Sequence, residues 1–231
     1  MSIKKLEKKF SYLLIVLALG MTLSATAASF RDMETLANQG YPYAQYNLGI
    51  FYQTGKGGVS PDQLLAASWY LRSANQGFAP AQFNVGVCYE KGDVFPKDYA
   101  LAASWYQKSA NQGYAAAQYN LATLYMSGSG VRLSPALAAN WYQKAANQGY
   151  VEAEYSLGVL HERGLGVIQN YPLSVAWYEK AANKGYAAAQ YNLGVMYANG
   201  KGVIQNDYLA VVWYQKAARQ GYAPARQILG L

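Results

Sequence analysis

The sequence predicts an all-α fold, a solenoid of tandem 36-residue helix-turn-helix repeats, and two observations support this prediction. Five tryptophans recur at intervals of 36 residues, at Trp69, Trp105, Trp141, Trp177 and Trp213. The glycine eight residues after each tryptophan keeps the same spacing, from Gly77 to Gly221. A fixed period of roughly 20–50 residues is typical of arrays in which each unit packs only against its neighbours. Five units of one design therefore make up most of the chain.

The array is predicted to be one continuous domain over residues 29–231, preceded by a signal peptide at 1–28. A half-unit at 30–40 comes before the full repeats, and a partial repeat at 222–231 follows them. The five full repeats are placed at about 41–77, 78–113, 114–149, 150–185 and 186–221. The partial repeat would leave Ile228 and Leu229 without a covering helix, so self-association through this half-repeat is one expectation.

The signal peptide is predicted from the order of its residues. Four lysines within 4–9 are followed by an apolar run at 12–23 and by small residues at 24–28. That order is typical of a secretory leader, here cleaved after Ala27 or Ala28. An uncleaved anchor is the alternative, disfavoured because a membrane-spanning helix needs about 20 apolar residues. We therefore expect an exported protein, periplasmic rather than secreted, without a stable membrane anchor after cleavage.

Charge and cysteine content narrow the function classes. The whole chain carries a net charge of +7, and the leader holds four lysines and Glu7, so the remaining array carries +4. These charges are spread along the array and form no concentrated Lys/Arg patch, which argues against nucleic acid as a partner. A single cysteine, Cys88, excludes an internal disulfide, so stability must come from packing.

Each repeat is predicted to contain two helices, A and B, as the third repeat illustrates. Helix A spans 115–126, because Ala117, Leu121 and Leu124 fall on one helical face. A glycine-rich loop follows, and helix B then runs to a terminating Gly149. The residues at the starts of the five B helices can all accept an N-cap hydrogen bond. They are Asp62, Asp98, Ser134, Asn170 and Asn206.

Helix A carries a small residue at one fixed position. The residues in this column are Gly49, Gly86, Ala122, Gly158 and Gly194. Glycine inside a helix costs up to about 1 kcal/mol relative to alanine. Its recurrence therefore predicts that a neighbouring helix passes close to that point.

Three segments resemble Sel-one-like repeats, relatives of the tetratricopeptide repeat (TPR). They are YAAAQYNLG at 186–194, GKGV at 200–203 and WYQKAA at 213–218, and the resemblance extends over essentially the whole array. It implies a right-handed α-solenoid with a TPR-like superhelix that serves as an adaptor for other proteins, exported in many bacterial relatives. The family has no shared catalytic residues. A cysteine-rich subgroup binds or hydrolyses β-lactams, but this chain lacks that subgroup's cysteine pair in each repeat.

No catalytic residues, metal site or cofactor are predicted, and the protein is not expected to be an enzyme. His161 is the only histidine, and its column holds tyrosine in the other full repeats, so we expect it to pack. Cys88 lies in an apolar column and is expected to be a small buried hydrophobe. Glu152 and Glu154 are two residues apart on a helix and cannot act as an acid–base pair. The Gly-x-Gly-Val loops lack the lysine of phosphate-binding loops and are interpreted as turns.

One strip of helix A is left free by packing and is the candidate binding groove, here called the A-helix strip. It combines side-chain amides with small apolar groups, and the fourth repeat adds two charges. Its residues are Asn47, Ile50, Asn84, Val87, Asn120, Thr123, Glu152, Ser156, Val159, Arg163, Asn192 and Val195. Asparagine is unfavourable inside helices, whereas its amide can bond both backbone groups of an extended peptide. Two interpretations remain open: the amides bind a partner, or they join adjacent repeats.

The predicted function is that of an exported scaffold that binds a protein or extended peptide on its concave face. We expect the fourth repeat, where Glu152 and Arg163 join the strip, to set local specificity. The alternative is a β-lactam- or peptidoglycan-binding envelope protein with weak hydrolase activity. The single histidine and the lack of a nucleophile–base pair count against hydrolysis. The 23 tyrosines would supply stacking surfaces for glycans.

Overall fold

A computed structural model describes residues 29–231, and this part of the chain contains helices and no strands. The predicted signal peptide lies outside the described residues. Two compact units are divided after Ser73. The helices are α1 (Phe30–Asn38), α2 (Pro42–Thr54), α3 (Gln63–Asn75), α4 (Ala79–Lys91), α5 (Tyr99–Asn111), α6 (Ala115–Ser127), α7 (Pro135–Asn147), α8 (Val151–Arg163), α9 (Tyr171–Asn183), α10 (Ala187–Asn199), α11 (Asp207–Arg219) and α12 (Ala223–Ile228), with a 3-10 turn at Lys56–Gly58.

The helices of the second unit pack strictly in chain order, from α4 against α5 to α11 against α12. The even-numbered helices α4 to α10 are the predicted A helices, and the odd-numbered helices α5 to α11 are the B helices. In the first unit α1 packs on α2, and α3 contacts α2 through Tyr70. The predicted all-α solenoid of helix-turn-helix repeats is confirmed. No helix between residues 29 and 231 has both the length and the apolarity of a membrane span.

The starts of the B helices are capped as the sequence predicted. Each of the five cap residues accepts a backbone N–H from its first helical turn, at 2.8–3.3 Å. Such a side-chain oxygen satisfies one of the donors that a helix start leaves free, and its loss costs about 1 kcal/mol. The A helices start differently, because a tyrosine or phenylalanine without a side-chain cap bond precedes each of them.

The small residue of helix A lies against a neighbouring helix, as predicted. A Cβ atom placed on Gly86 would lie 2.6 Å from the ring of Tyr106 in α5. The other glycines with this approach to a tyrosine ring are Gly49, Gly158 and Gly194. In the third repeat Ala122 takes the position, and it is buried in the same cluster as Tyr142. Each B helix is thus held against its A helix by a tyrosine ring packed on a small residue.

The loops between the A and B helices in repeats three to five lie against the preceding repeat. A Cβ atom on Gly166, whose φ is +69°, would lie 2.2 Å from the carbonyl carbon of Pro135 at the start of α7. Gly130 and Gly202 approach the starts of α5 and α9 in the same way. The second glycine of each loop is therefore required by close backbone contact between repeats. The interpretation of these loops as turns is confirmed.

Candidate functional site

The A-helix strip lies at the surface of both units. Ten of its twelve residues are half-buried, and Thr123 and Arg163 are exposed. Within the second unit, Val87 and Val159 also contact the hydrophobic core, so part of the strip contributes to packing. Asn47 and Ile50 lie in the first unit, where the Asn47 amide donates to the carbonyl of Tyr43 at 2.9 Å. The structure therefore leaves these side chains accessible to a partner, although a role in binding stays a prediction.

Buried tyrosines of the B helices extend their hydroxyl groups towards this strip. The Tyr178 hydroxyl donates to Glu162 Oε2 at 2.6 Å, and the Tyr106 hydroxyl donates to Glu90. Burial, followed by the hydrogen bond to glutamate, raises the pKa of both tyrosines, so both hydroxyls stay protonated. Tyr106 and Tyr178 therefore each join their own A helix through a polar contact as well as through packing.

The asparagines of the strip adjoin these hydroxyls from the following repeat. Asn120 lies within hydrogen-bonding reach of Tyr106, and Asn192 lies within reach of Tyr178. In the third repeat, the Tyr142 hydroxyl is 3.1 Å from Thr123 Oγ1 instead. The sequence pattern places Tyr142 on the apolar face of its B helix and does not reveal the role of its hydroxyl. Glu90 and Glu162, which lie 16 residues before Tyr106 and Tyr178, were the sequence signal that could have revealed polar contacts of these tyrosine hydroxyls.

A column of glutamines, whose role the sequence pattern did not predict, joins the repeats to one another. Gln118 donates to the carbonyl of Ala110 at 3.1 Å and accepts a hydrogen bond from Gln148 at 2.8 Å. Gln82 and Gln190 make the equivalent bonds in their repeats. The column residues Gln82, Gln118 and Gln190 are buried, whereas their partners Gln112, Gln148 and Gln220 are exposed, and these pairs join neighbouring repeats. We call this column the glutamine ladder.

The fourth repeat replaces the glutamine pair of this ladder with an ion pair. Glu154 is 3% exposed, and its Oε1 lies 2.6 Å from Lys184 Nζ. Lys184 also donates to the carbonyl of Gly149 at 3.0 Å. The second carboxylate oxygen of Glu154 is buried and has no hydrogen-bond partner. A carboxylate cannot donate to a carbonyl as the glutamines do, which explains the unpaired oxygen.

Tyrosines on the A helices form a further ladder beside the strip, here called the tyrosine ladder. Tyr155 lies between Tyr178 of its own repeat, at 5.8 Å between ring centroids, and Tyr186 of the next repeat, at 5.1 Å. Tyr119 and Tyr191 are placed in the same way between two rings. These separations are typical of attractive aromatic pairs. Because the ladder tyrosines are only half-buried, they form accessible surface next to the amides.

The described residues contain no group of three or more metal-ligating side chains. His161 is half-buried, and its Nδ1 atom has no hydrogen-bond partner. Cys88 is half-buried rather than fully buried as expected, and it lies in the last turn of α4, close to Asp93. Burial, followed by the charge of Asp93, raises its pKa to about 11. The expectation that it is not a reactive thiol is consistent with this shift.

Alkylation of Cys88 by iodoacetamide near neutral pH is expected to be much slower than alkylation of N-acetylcysteine. The thiolate is the reactive form, and with a pKa raised to about 11 it accumulates only as the pH rises towards that value. Mass spectrometry of the labelled protein over a pH series would measure the rate, with denatured protein as the control. Equal rates for Cys88 and N-acetylcysteine near neutral pH would contradict this prediction.

Comparison with protein-family models identifies five copies of the Sel1 repeat, at residues 42–78, 79–114, 115–150, 151–186 and 187–222. Among solved structures, the chain is 33% identical to a Sel1 repeat protein from Oxalobacter formigenes. That alignment covers 94% of this chain and 85% of the other, with a TM-score of 0.80. Comparison with curated protein sequences gave no match.

A second similar structure is c5321, described as a protective antigen of uropathogenic Escherichia coli strains that displays an SLR fold. It is 32% identical, with a TM-score of 0.56, over 88% of this chain and 51% of its own length. The present chain thus spans about half of that antigen. A Sel1 repeat protein from Klebsiella pneumoniae, at 19% identity over 86% of this chain and 96% of its own, has a TM-score of 0.53 and shows the fold alone.

Proposed function

Because the chain belongs to the Sel1 repeat family, whose members are generally protein-interaction scaffolds, we propose that it is an exported adaptor that binds a protein or extended peptide along the A-helix strip. We expect this strip to lie on the concave side, where repeat arrays present extended binding surfaces. Export is part of the proposal and is supported by the leader-like order of residues 1–28. If the protein isolated from its own cells still carries residues 1–28, the proposal of export is contradicted.

The observation that supports the proposal most strongly is the difference in burial between the two columns of amide side chains. The glutamines are buried and join repeat to repeat, whereas the asparagines of the strip are half-exposed. Contact between neighbouring repeats therefore does not depend on the asparagines alone. An exposed column of amides beside small apolar side chains suits the backbone and side chains of an extended peptide.

The tyrosine hydroxyls support the same proposal by limiting the motion of the amides. Asn120 and Asn192 lie beside hydroxyl groups that glutamates already hold in place. A side chain restrained before binding loses less conformational entropy when the partner arrives. The contacts with tyrosine thus serve both interpretations of the strip: they join repeats, and they orient amide groups that stay accessible.

Replacing Asn84, Asn120 and Asn192 together with alanine is expected to abolish partner capture and to leave the unfolding midpoint nearly unchanged. Each substitution removes weak, half-exposed hydrogen bonds but gains about 0.5 kcal/mol of helix propensity, so the two effects nearly cancel. A photo-crosslinking residue at the exposed position Ser127, used in cells, would record capture.

The matched control replaces Asn111, Asn147 and Asn183 with alanine. These asparagines are exposed on the B helices, so the number and type of substitutions are the same. We expect this control to crosslink like the unchanged protein. Persistent crosslinking by the strip variant would show that the strip does not bind the partner. A large fall in its unfolding midpoint would assign the strip asparagines to repeat stacking instead.

The family is typically a non-enzymatic scaffold, and we propose that this chain is also not an enzyme. The arrangement of its titratable groups supports this view. The Glu90 and Glu162 carboxylates accept tyrosine hydroxyls, and Glu154 is occupied by Lys184. Hydrolysis of nitrocefin by the purified protein would contradict the proposal and favour a β-lactam-binding role.

A further inference from the structure

The loops between the A and B helices of repeats three to five form a continuous edge within the second unit. Each loop lies against the start of the preceding B helix, as Gly130 does on α5, Gly166 on α7 and Gly202 on α9. The ammonium group of Lys201 also lies 5.8 Å from the centre of the Tyr171 ring, at the start of α9. We call these loops and helix starts the loop edge. It comprises residues 128–134, 164–170 and 200–206 and the first turns at 99–101, 135–137 and 171–173.

Large apolar side chains protrude from the loop edge. Ile168 is 90% exposed and Ile204 is 92% exposed, and the two occupy the same position in consecutive repeats. Leu133, at the next position along the loop of the third repeat, is 59% exposed. Exposed leucines also lie in the loop of the fourth repeat and in each of the three first turns, at Leu165, Leu101, Leu137 and Leu173. Single exposed apolar side chains are ordinary, whereas a row of them along one edge marks a contact surface.

The residues on either side hold the protruding isoleucines outward. Val167 and Val203, which precede them, pack against the hydrophobic core. Gln169, which follows Ile168, donates to the carbonyl of Glu162 at 2.8 Å. The loop therefore cannot turn Ile168 inward without withdrawing a valine from the core and breaking this hydrogen bond. Exposure of the isoleucines is thus a property of the fold.

The charges of the loop edge are positive. Its charged residues are Arg132 and Lys201, both exposed, and its sequence contains no acid. Of the exposed charged residues that directly adjoin it, Arg163 and Asp207 offset each other. Lysine and arginine near a bilayer are attracted to anionic headgroups. Protruding apolar side chains beside cations are the combination by which proteins bind the interface of a membrane without spanning it.

We propose that the loop edge is a peripheral binding surface for a phospholipid bilayer that contains anionic lipids. Ile168, Ile204 and Leu133 enter the acyl region, and Arg132 and Lys201 contact the lipid phosphates. A bilayer suits this edge better than a folded protein does, because the side chains stand singly on successive loops and lipids can close around each of them. The proposal goes beyond the adaptor function, since these residues are not part of the A-helix strip.

The test measures co-sedimentation of the purified protein with two kinds of vesicle. One is phosphatidylcholine alone, and the other is an equal mixture of phosphatidylcholine and phosphatidylglycerol. Protein that begins at Ser29 is used, because the apolar run at 12–23 would bind vesicles by itself and every described helix lies beyond it. We expect the protein to sediment with the mixed vesicles and to be released by added salt, which screens the attraction between charges.

Replacing Ile168 and Ile204 together with serine should weaken binding to the mixed vesicles by about tenfold or more, because the side chains that enter the acyl region are lost. Both are at least 90% exposed, so folding should be unchanged. The matched control replaces Ile228 and Leu231 with serine, which removes two exposed apolar side chains outside the loop edge. This control should sediment like the unchanged protein.

Replacing Arg132 and Lys201 with glutamine should remove most of the difference between the two kinds of vesicle. Equal sedimentation of the isoleucine variant and the unchanged protein, or no sedimentation with mixed vesicles, would overturn the proposal. A dimer that the unchanged protein forms and the isoleucine variant does not, seen by analytical ultracentrifugation without vesicle binding, would assign the edge to a second copy instead. The Asn84/Asn120/Asn192 variant should bind vesicles normally, so the membrane surface and the groove are tested separately.

Discussion

Replacing Gly166 with alanine is expected to lower the free energy of unfolding by about 3–5 kcal/mol. Its φ of +69° is unfavourable for a residue with a side chain, and the added methyl group would lie 2.2 Å from the backbone of Pro135. Backbone atoms cannot rotate away as a side chain does, so the loop must move and the contact between two repeats is weakened. Denaturant unfolding followed by circular dichroism would measure the loss.

Gly185→Ala is the matched control, because Gly185 also has a positive φ, +90°, but nothing lies within 4 Å of its added methyl group. We expect it to cost only the conformational strain, about 1–2 kcal/mol. Repeat arrays are stabilised by contacts between nearest neighbours, so the Gly166 variant should also unfold less cooperatively. Equal losses in the two variants would refute the argument from close backbone contact.

Replacing Lys184 with alanine is expected to destabilise the protein by about 2–3 kcal/mol. The substitution removes the partner of one carboxylate oxygen of Glu154, a residue that is 3% exposed. The other carboxylate oxygen is already unpaired. Breaking a fully buried ion pair costs about 3–5 kcal/mol, but the Lys184 side chain is 43% exposed, so solvent screening reduces the effect. Thermal and denaturant melts would measure the change.

The other repeats provide the control for this prediction. The double replacement of Glu154 and Lys184 with glutamine recreates the pair formed by Gln118 and Gln148 at 2.8 Å. The new amide at position 154 can donate to the carbonyl of Ala146, as Gln118 donates to Ala110. We therefore expect the double variant to be at least as stable as the unchanged protein. A double variant as unstable as the Lys184 variant would contradict this account of the ladder.

The fourth repeat departs from its neighbours both inside and on the surface. The glutamine pair of the other repeats, which has one buried member, is replaced by Glu154 and Lys184, and the strip carries Glu152 and Arg163. Ser156 replaces the asparagine of the other repeats and bonds the carbonyl of Glu152 at 2.7 Å. A buried charge is costly unless it is paired, as Glu154 is with Lys184, whereas the half-buried Glu152 and the exposed Arg163 are accessible to a partner. This repeat is therefore where we expect partner specificity to arise.

Features set by local chemistry were predictable from the sequence. The N-caps at Asp98 and Ser134, the glycine stops and the close approach at Gly86 all follow from what one residue type does to the nearby backbone. Each of these features recurs at the 36-residue period in most of the repeats, which makes it easier to recognise in the sequence. The position of the strip on helix A was also predictable, because helical periodicity decides which side chains share a face.

The sequence by itself therefore determined the repeat, the two helices within it and the surface strip. Tertiary structure decided which polar groups meet, because the partners that join helices and repeats lie 8 to 35 residues apart in the chain. Tyr178 was predictable as an apolar residue, but its bond to Glu162 depends on how two helices are packed. Helical periodicity specifies which side chains share one face of a helix. Only the packing of one repeat on the next specifies which side chains of different helices meet.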